Sequence, residues 1–188
     1  MLRVKLHPFD QLLRPYEFHG EIAIFSQNLV FKYEISGDYQ ELKLPATSQE
    51  PKRLDFLWQH TCFEAFFAPP KGSAYWELNL SPSGDWNFYH FFDYRKKSPH
   101  QPSLNFHYET SRTSTKYQAC ATLEGSFFDE PILLMGLTAV LQTHDSKSYW
   151  ALSHPKSEPD FHDSRNFRIK TDFSTLELLM GECDASGN

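Results

Sequence analysis

The stretch LWQHTCFEAFFAPP, Leu57 to Pro70, puts a carboxylate where a strand has no ordinary use for one. The run Cys62 to Ala68 is apolar on both alternating faces except at Glu64. An ionised group there is costly unless it is paired, hydrogen-bonded or turned toward a wet cavity. Trp58 and His60 lie just ahead of it, and Asn79 and Trp86 follow in YWELNLS and WNFYHFFDY. An aromatic plane beside a carboxylate and an amide suits a sugar ring: C–H faces stack on the aromatic while hydroxyls bond the polar oxygens. Arg95 is the alternative partner for Glu64, as half of a structural ion pair. Glu77, on a cleanly alternating strand, reads as a solvated outward residue.

A second polar concentration, HPKSEPDFHD from His154 to Asp163, directly follows the strand that carries Trp150. Loops held by proline at a strand end commonly carry binding groups on a rigid scaffold. His154, Asp160, His162 and Asp163 also offer metal donors. Their spacing matches no regular ligand pattern, and the carboxylates serve equally as turn caps, so no metal is assigned and calcium stays an alternative. The ligand-binding set read from the chain is therefore Trp58, His60, Glu64, Asn79, Trp86, Arg95, Trp150, His154 and His162.

The elements that must position these residues are strands. Aromatics are 16% of the 188 residues, with 17 Phe, 9 Tyr and 4 Trp, a composition suited to half-buried sheet surfaces. Short strand-like runs bounded by turn residues recur from Arg3 to Thr171, which predicts an all-β, antiparallel β-sandwich of jelly-roll type with about ten strands. SPSGDW reads as a hairpin turn between the Tyr75 and Trp86 strands, while PPKGSA and THDSKSY separate two further antiparallel pairs. Alternation puts Cys62, Glu64, Phe66 and Ala68 on one face and Phe63, Ala65 and Phe67 on the other. Tyr75, Glu77 and Asn79 likewise oppose Trp76, Leu78 and Leu80, so Glu64 falls near Glu77 or Asn79 if the two strands pair. One short helix is expected over Ser174 to Gly181, where Ser174 and Glu177 have capping-box spacing, ahead of a frayed tail. A single domain over 1–188 follows from the length.

A net charge of -6 with no long basic cluster argues against nucleic acid as a partner. The opening residues lack the apolar core of a signal peptide, and no apolar run approaches the roughly 20 residues that span a bilayer, so a cytoplasmic, non-membrane protein is expected. Cys62, Cys120 and Cys183 are too scattered for a disulfide framework, and the first two read as buried small hydrophobes.

Taken together, LWQHTCFEAFFAPP, YWELNLSPSGDWNFYHFFDYR and YWALSHPKSEPDFHD resemble the DOMON-like, family 9 carbohydrate-binding-module-like domains of bacterial proteins, from about Trp58 to Phe167. The resemblance implies a jelly-roll sandwich that binds a sugar, with Trp58 as platform, Glu64 as hydroxyl acceptor, and Asn79 and Gly84 at the strand end and turn that follow. Trp150 and Trp86 both stand open as the second aromatic. Some DOMON relatives bind haem through methionine and histidine, which this chain supplies poorly with Met1, Met135 and Met180. Non-catalytic binding of a saccharide-like small molecule, without a cofactor and with any protein partner unknown, is the expected function. The alternatives are haem-linked electron transfer and a sugar-active enzyme that uses Glu64 with His60, His154 or His162 as acid and base.

Overall fold

In the first sheet, large apolar residues recur at every second position. Strand β3 (Tyr16–Phe25) buries Tyr16, Phe18 and Ile22, and β4 (Asn28–Gly37) buries Leu29, Phe31, Tyr33 and Ile35. The period of two turns one side of each strand inward and leaves the charged residues outside. The chain was analysed as a computed structural model that describes residues 1–25, 28–100, 102–124, 133–171 and 176–178.

With β1 (Leu2–Lys5), β9 (Phe106–Arg112) and β10 (Lys116–Leu123), these strands form a five-stranded sheet in the order β1-β3-β4-β10-β9. The second sheet runs β14-β13-β11-β5-β6-β7-β8, from β14 (Leu176–Leu178), β13 (Ile169–Thr171) and β11 (Leu133–Gln142) to β5 (Cys62–Ala68), β6 (Tyr75–Leu80), β7 (Trp86–Asp93) and β8 (Lys96–Lys97). Strand β12 (Lys147–Ala151) pairs with the far half of β11, and β2 (His7–Pro8) pairs with β12. Every strand ladder among the described residues is antiparallel, so the molecule is the expected β-sandwich of jelly-roll type. The turns expected at PPKGSA, SPSGDW and THDSKSY join β5 to β6, β6 to β7 and β11 to β12.

Between the sheets, Phe63 stacks on Tyr33 and Tyr117, and Phe67, Leu78, Phe88 and Leu137 fill the same core. The Tyr33 hydroxyl crosses from one sheet to the other and donates to the Glu64 carbonyl at 2.5 Å. A second, smaller cluster lies on the opposite face of β5, β6 and β7, where Phe66, Tyr75, Tyr89 and Phe91 meet Phe161 and Phe167. Strand β5 is thus buried on both sides, by the first sheet and by the returning chain after β12.

The expected helix does not form where the structure describes it: Leu176–Leu178 pair with β13 as β14, and the rest of Ser174 to Gly181 lies outside the described residues. A helix of two turns is marginal in water, and an adjacent strand edge offers the same backbone groups ready partners. Cys120 is only half-buried, on the outer side of the first sheet, while Cys62 is fully buried as expected.

Gly37 closes β4 at φ 121°, where an added Cβ would stand 2.5 Å from the Pro15 carbonyl oxygen and 2.8 Å from the Tyr16 Cα. Backbone cannot yield as a flexible side chain does. Gly37→Ala is expected to destabilise the protein by about 1–3 kcal/mol in denaturant titration. An unchanged midpoint would show that the β3–β4 end rearranges freely.

Candidate functional site

The second sheet's outer face carries the polar residues in rows. Register places Thr138, Glu64, Asn79 and Asn87 side by side across β11, β5, β6 and β7, with Phe66, Glu77 and Tyr89 in the next row. Antiparallel pairing and the period of two make these one surface. Glu64 and Glu77 are only 3% and 4% exposed, so the outward, solvated position expected for Glu77 is corrected: the segment after β12 folds over that face.

Neither carboxyl makes an ion pair with arginine or lysine among the described residues. Thr138 Oγ1 donates weakly to Glu64 Oε2 at 3.4 Å, and Asn79 Nδ2 donates to Glu77 Oε1 at 2.9 Å. Burial lifts the Glu64 carboxyl well above the usual range, and the neighbouring Glu77 lifts it further. Burial likewise pushes Glu77 up to about 7, against the Asn79 hydrogen bond and the Arg95 and Lys97 charges. Two buried carboxyls this close hold a proton rather than two negative charges.

The ion pair between Glu64 and Arg95 is also corrected, because Arg95 Nη2 lies 2.9 Å from Asp160 Oδ1. Asp160 further accepts from the Tyr94 hydroxyl at 2.6 Å, from the Lys156 ammonium and from the His162 amide at 3.2 Å. These bonds hold its carboxyl well below the usual range despite burial, and they tie the loop after β12 to the β7–β8 turn. His162 thereby sits over the sheet face. Its Nδ1 lies 2.7 Å from the Tyr75 hydroxyl, which accepts the Arg95 amide at 3.0 Å. With the phenol donating to Nδ1, Nε2–H would face Glu77 Oε2, which lies 3.8 Å from Nε2. Burial holds His162 down at about 4, so the ring is neutral at physiological pH.

Above the carboxyls opens a cavity of about 390 Å³. Glu64 and Glu77 form its floor, and Trp58, Tyr89, Phe91, Val140, Tyr149 and Phe161 its walls. Gln59, Arg95, Lys97, Lys147, Pro159 and His162 complete the lining. Trp58 is 38% exposed and meets Tyr89 edge-on at 6.0 Å and Phe56 at 5.4 Å, so one aromatic series leads from the surface inward. Phe56 takes a left-handed backbone, φ 66°, immediately before the short 3-10 turn Leu57–Gln59 that presents Trp58. Apolar walls around a few converging polar groups are the usual make-up of a small-molecule site.

Of the residues singled out in the sequence, the structure brings Trp58, Glu64, Arg95 and His162 to this cavity, with Asn79 buried behind Glu77. It does not bring the other four. His60 lies in a neighbouring hollow, its Nδ1 3.1 Å from Gln142 Oε1. Trp86 packs on the first sheet's side, under Arg53 and against Phe106. Trp150 is 3% exposed between the sheets, and His154 packs against Phe9 with Nε2 2.8 Å from the His7 carbonyl. Met135 is fully buried between the sheets. Among the described residues no group of three or more His, Cys, Asp or Glu is arranged to hold a metal ion. No described helix is long and apolar enough to cross a membrane.

The cavity residues the sequence reading missed are Gln59, Glu77, Tyr89, Phe91, Lys97, Val140, Lys147, Tyr149, Pro159 and Phe161. A signal existed for three of them. Continuing the Glu77 face across the SPSGDW hairpin leads directly to Tyr89 and Phe91. Tyr149 and Phe161 had none, because they reach the site through β12 and the long loop after it.

A β-sandwich is the fold this chain shares with solved structures. A Bacteroides uniformis protein named "putative carbohydrate-binding protein" superposes with a TM-score of 0.59 at 11% identity, over 87% of this chain and 84% of that one. A family 9 carbohydrate-binding module from Caldicellulosiruptor kristjanssonii, solved with glucose, aligns at a TM-score of 0.48 and 11% identity over 92% of this chain and 81% of that one. No family model matches the chain. UPF0462 protein C4orf33 of Homo sapiens is 31% identical over 140 residues, spanning 70% of this chain and 69% of the human protein. Its Rattus norvegicus homologue is 28% identical over 136 residues, 72% of this chain and 65% of the rat protein. The chain belongs to the UPF0462 family.

Proposed function

We propose that the cavity over Glu64 and Glu77 binds a saccharide or sugar-like molecule without turning it over. The observation that carries this reading is the joining of an exposed aromatic, Trp58, to a floor of two buried carboxyls that make no ion pair with arginine or lysine among the described residues. Carboxyl groups held near their protonation point both donate and accept, which matches the dual character of sugar hydroxyls. The walls of Tyr89, Phe91, Tyr149 and Phe161 suit the apolar faces of the ring. The fold shared with a Bacteroides uniformis protein named for carbohydrate binding is in keeping with this reading.

Thermal shift and calorimetry against mono- and oligosaccharides test it. Trp58→Ala, at a partly exposed position, is expected to change the melting temperature little and lower affinity for the bound sugar about tenfold, roughly 1.4 kcal/mol. Saturation by no sugar at millimolar concentration would overturn the reading.

A second reading, acid–base turnover of the same ligand, is favoured by one contact: Nε2 of neutral His162 lies 3.8 Å from Glu77 Oε2, whose carboxyl is held near 7. Release of product from a bound sugar on prolonged incubation would select it.

A further inference from the structure

The cavity has an uneven charge. Its floor carboxyls are buried and hold a proton, whereas three cationic side chains, Arg95, Lys97 and Lys147, line it from three different elements: the β7–β8 turn, β8 and the start of β12. Among the described residues no other acidic side chain lines it, in a chain whose net charge is -6. Two of the cations are partly neutralised. Arg95 pairs with Asp160, and Lys97 Nζ lies 3.5 Å from Asp55 Oδ1 and 4.4 Å over the Tyr89 ring. Lys147 makes no ion pair among the described residues and is exposed at the β11–β12 hairpin, where Ser148 turns inward and Tyr149 enters the cavity wall.

Resting on the saccharide reading above, we infer that the ligand is an anionic sugar, with its ring between Trp58 and the carboxyl floor and its carboxylate or phosphate among Lys147, Lys97 and Arg95. A neutral sugar would leave Lys147 idle. An anion there gains charge-assisted hydrogen bonds in a partly enclosed site, where such bonds are worth more than on an open surface. A ligand bearing a cation would instead meet three like charges.

The test is calorimetry of the intact protein with glucose, galactose and mannose, each as the neutral sugar, the uronate and the 6-phosphate, with inorganic phosphate alone as a further arm. At least one anionic form is expected to bind about tenfold or more tightly than its neutral parent, and the advantage should shrink as sodium chloride rises from 0.05 to ~0.5 M. The uronate and phosphate arms identify which anion is taken. Lys147→Gln should narrow the ratio of anionic to neutral affinity, and Lys147→Arg should restore it; melting temperatures of both variants confirm folding. If a neutral sugar binds as tightly as its anionic forms, this inference falls and the saccharide reading stands. If no sugar binds, or inorganic phosphate binds alone, both fall.

Discussion

Trp150→Ala is expected to lower the unfolding free energy by about 3–5 kcal/mol, the cost of emptying a large aromatic site in a packed core. Trp150 is one of the two tryptophans left open by the resemblance as the second face of a sugar clamp. Its ring lies between the sheets, 5.7 Å from both Tyr16 and Phe18, and its Nε1–H donates to Ser148 Oγ at 2.9 Å. Truncation would remove those contacts and leave the Ser148 hydroxyl without its donor. Trp58→Ala, by contrast, removes an indole that is 38% exposed, so its effect falls on ligand affinity. Chemical denaturation of both variants distinguishes the roles. A Trp150→Ala protein of wild-type stability that has lost sugar binding would mean that Trp150 reaches the ligand.

Glu64→Gln is expected to gain on the wild type as pH rises. The wild-type carboxyl is buried beside Glu77 and stays protonated in the fold well above its ordinary value of 4.5. Unfolding releases that proton at any pH above 4.5, so the wild type loses about 1.4 kcal/mol of stability per pH unit until Glu64 ionises in the fold. The contribution is full below 4.5 and lost as pH rises through the folded value. Glutamine keeps the size and hydrogen-bonding atoms and does not titrate. The variant's stability relative to wild type should therefore rise as pH rises above 4.5, by up to about 1.4 kcal/mol per pH unit. Taking the difference cancels the groups that titrate alike in both proteins, His162 included, and leaves the Glu64–Glu77 pair, whose titrations are linked. That ring is held down at about 4 and costs stability as pH falls from 6.5 toward 4. Unfolding curves at half-unit steps of pH check the slope. A difference independent of pH would show that Glu64 is ionised in the folded protein and has found a partner.

The sandwich was legible in the chain because its evidence is local. The period of two in β3, β4 and β10, and turn chemistry such as SPSGDW, are written in neighbouring residues. Glu64 was legible for the same reason, as a carboxyl among apolar neighbours on both faces. Two corrected expectations, a solvated Glu77 and a tail helix over Leu176–Leu178, share one cause. Each assigned a residue its surroundings from its own segment, whereas chain far away in sequence decided them: the loop after β12 covers Glu77, and β13 offers a strand edge to β14.

The four tryptophans show where this limit falls. Sequence determines that each is a large amphipathic ring near a strand, and alternation tells which neighbours share its face. It does not tell which face meets the other sheet. Register across β11, β5, β6 and β7 decides that Glu64, Glu77 and Tyr89 occupy one surface. The pairing of β12 with β11 then turns Trp150 inward and Tyr149 outward. A side chain's direction repeats every two residues, but what stands opposite it depends on contacts made many residues away. The chain alone therefore determined the sheet and its odd carboxyl, and only tertiary packing decided that this carboxyl has a second beside it, a cavity above it and a cationic rim.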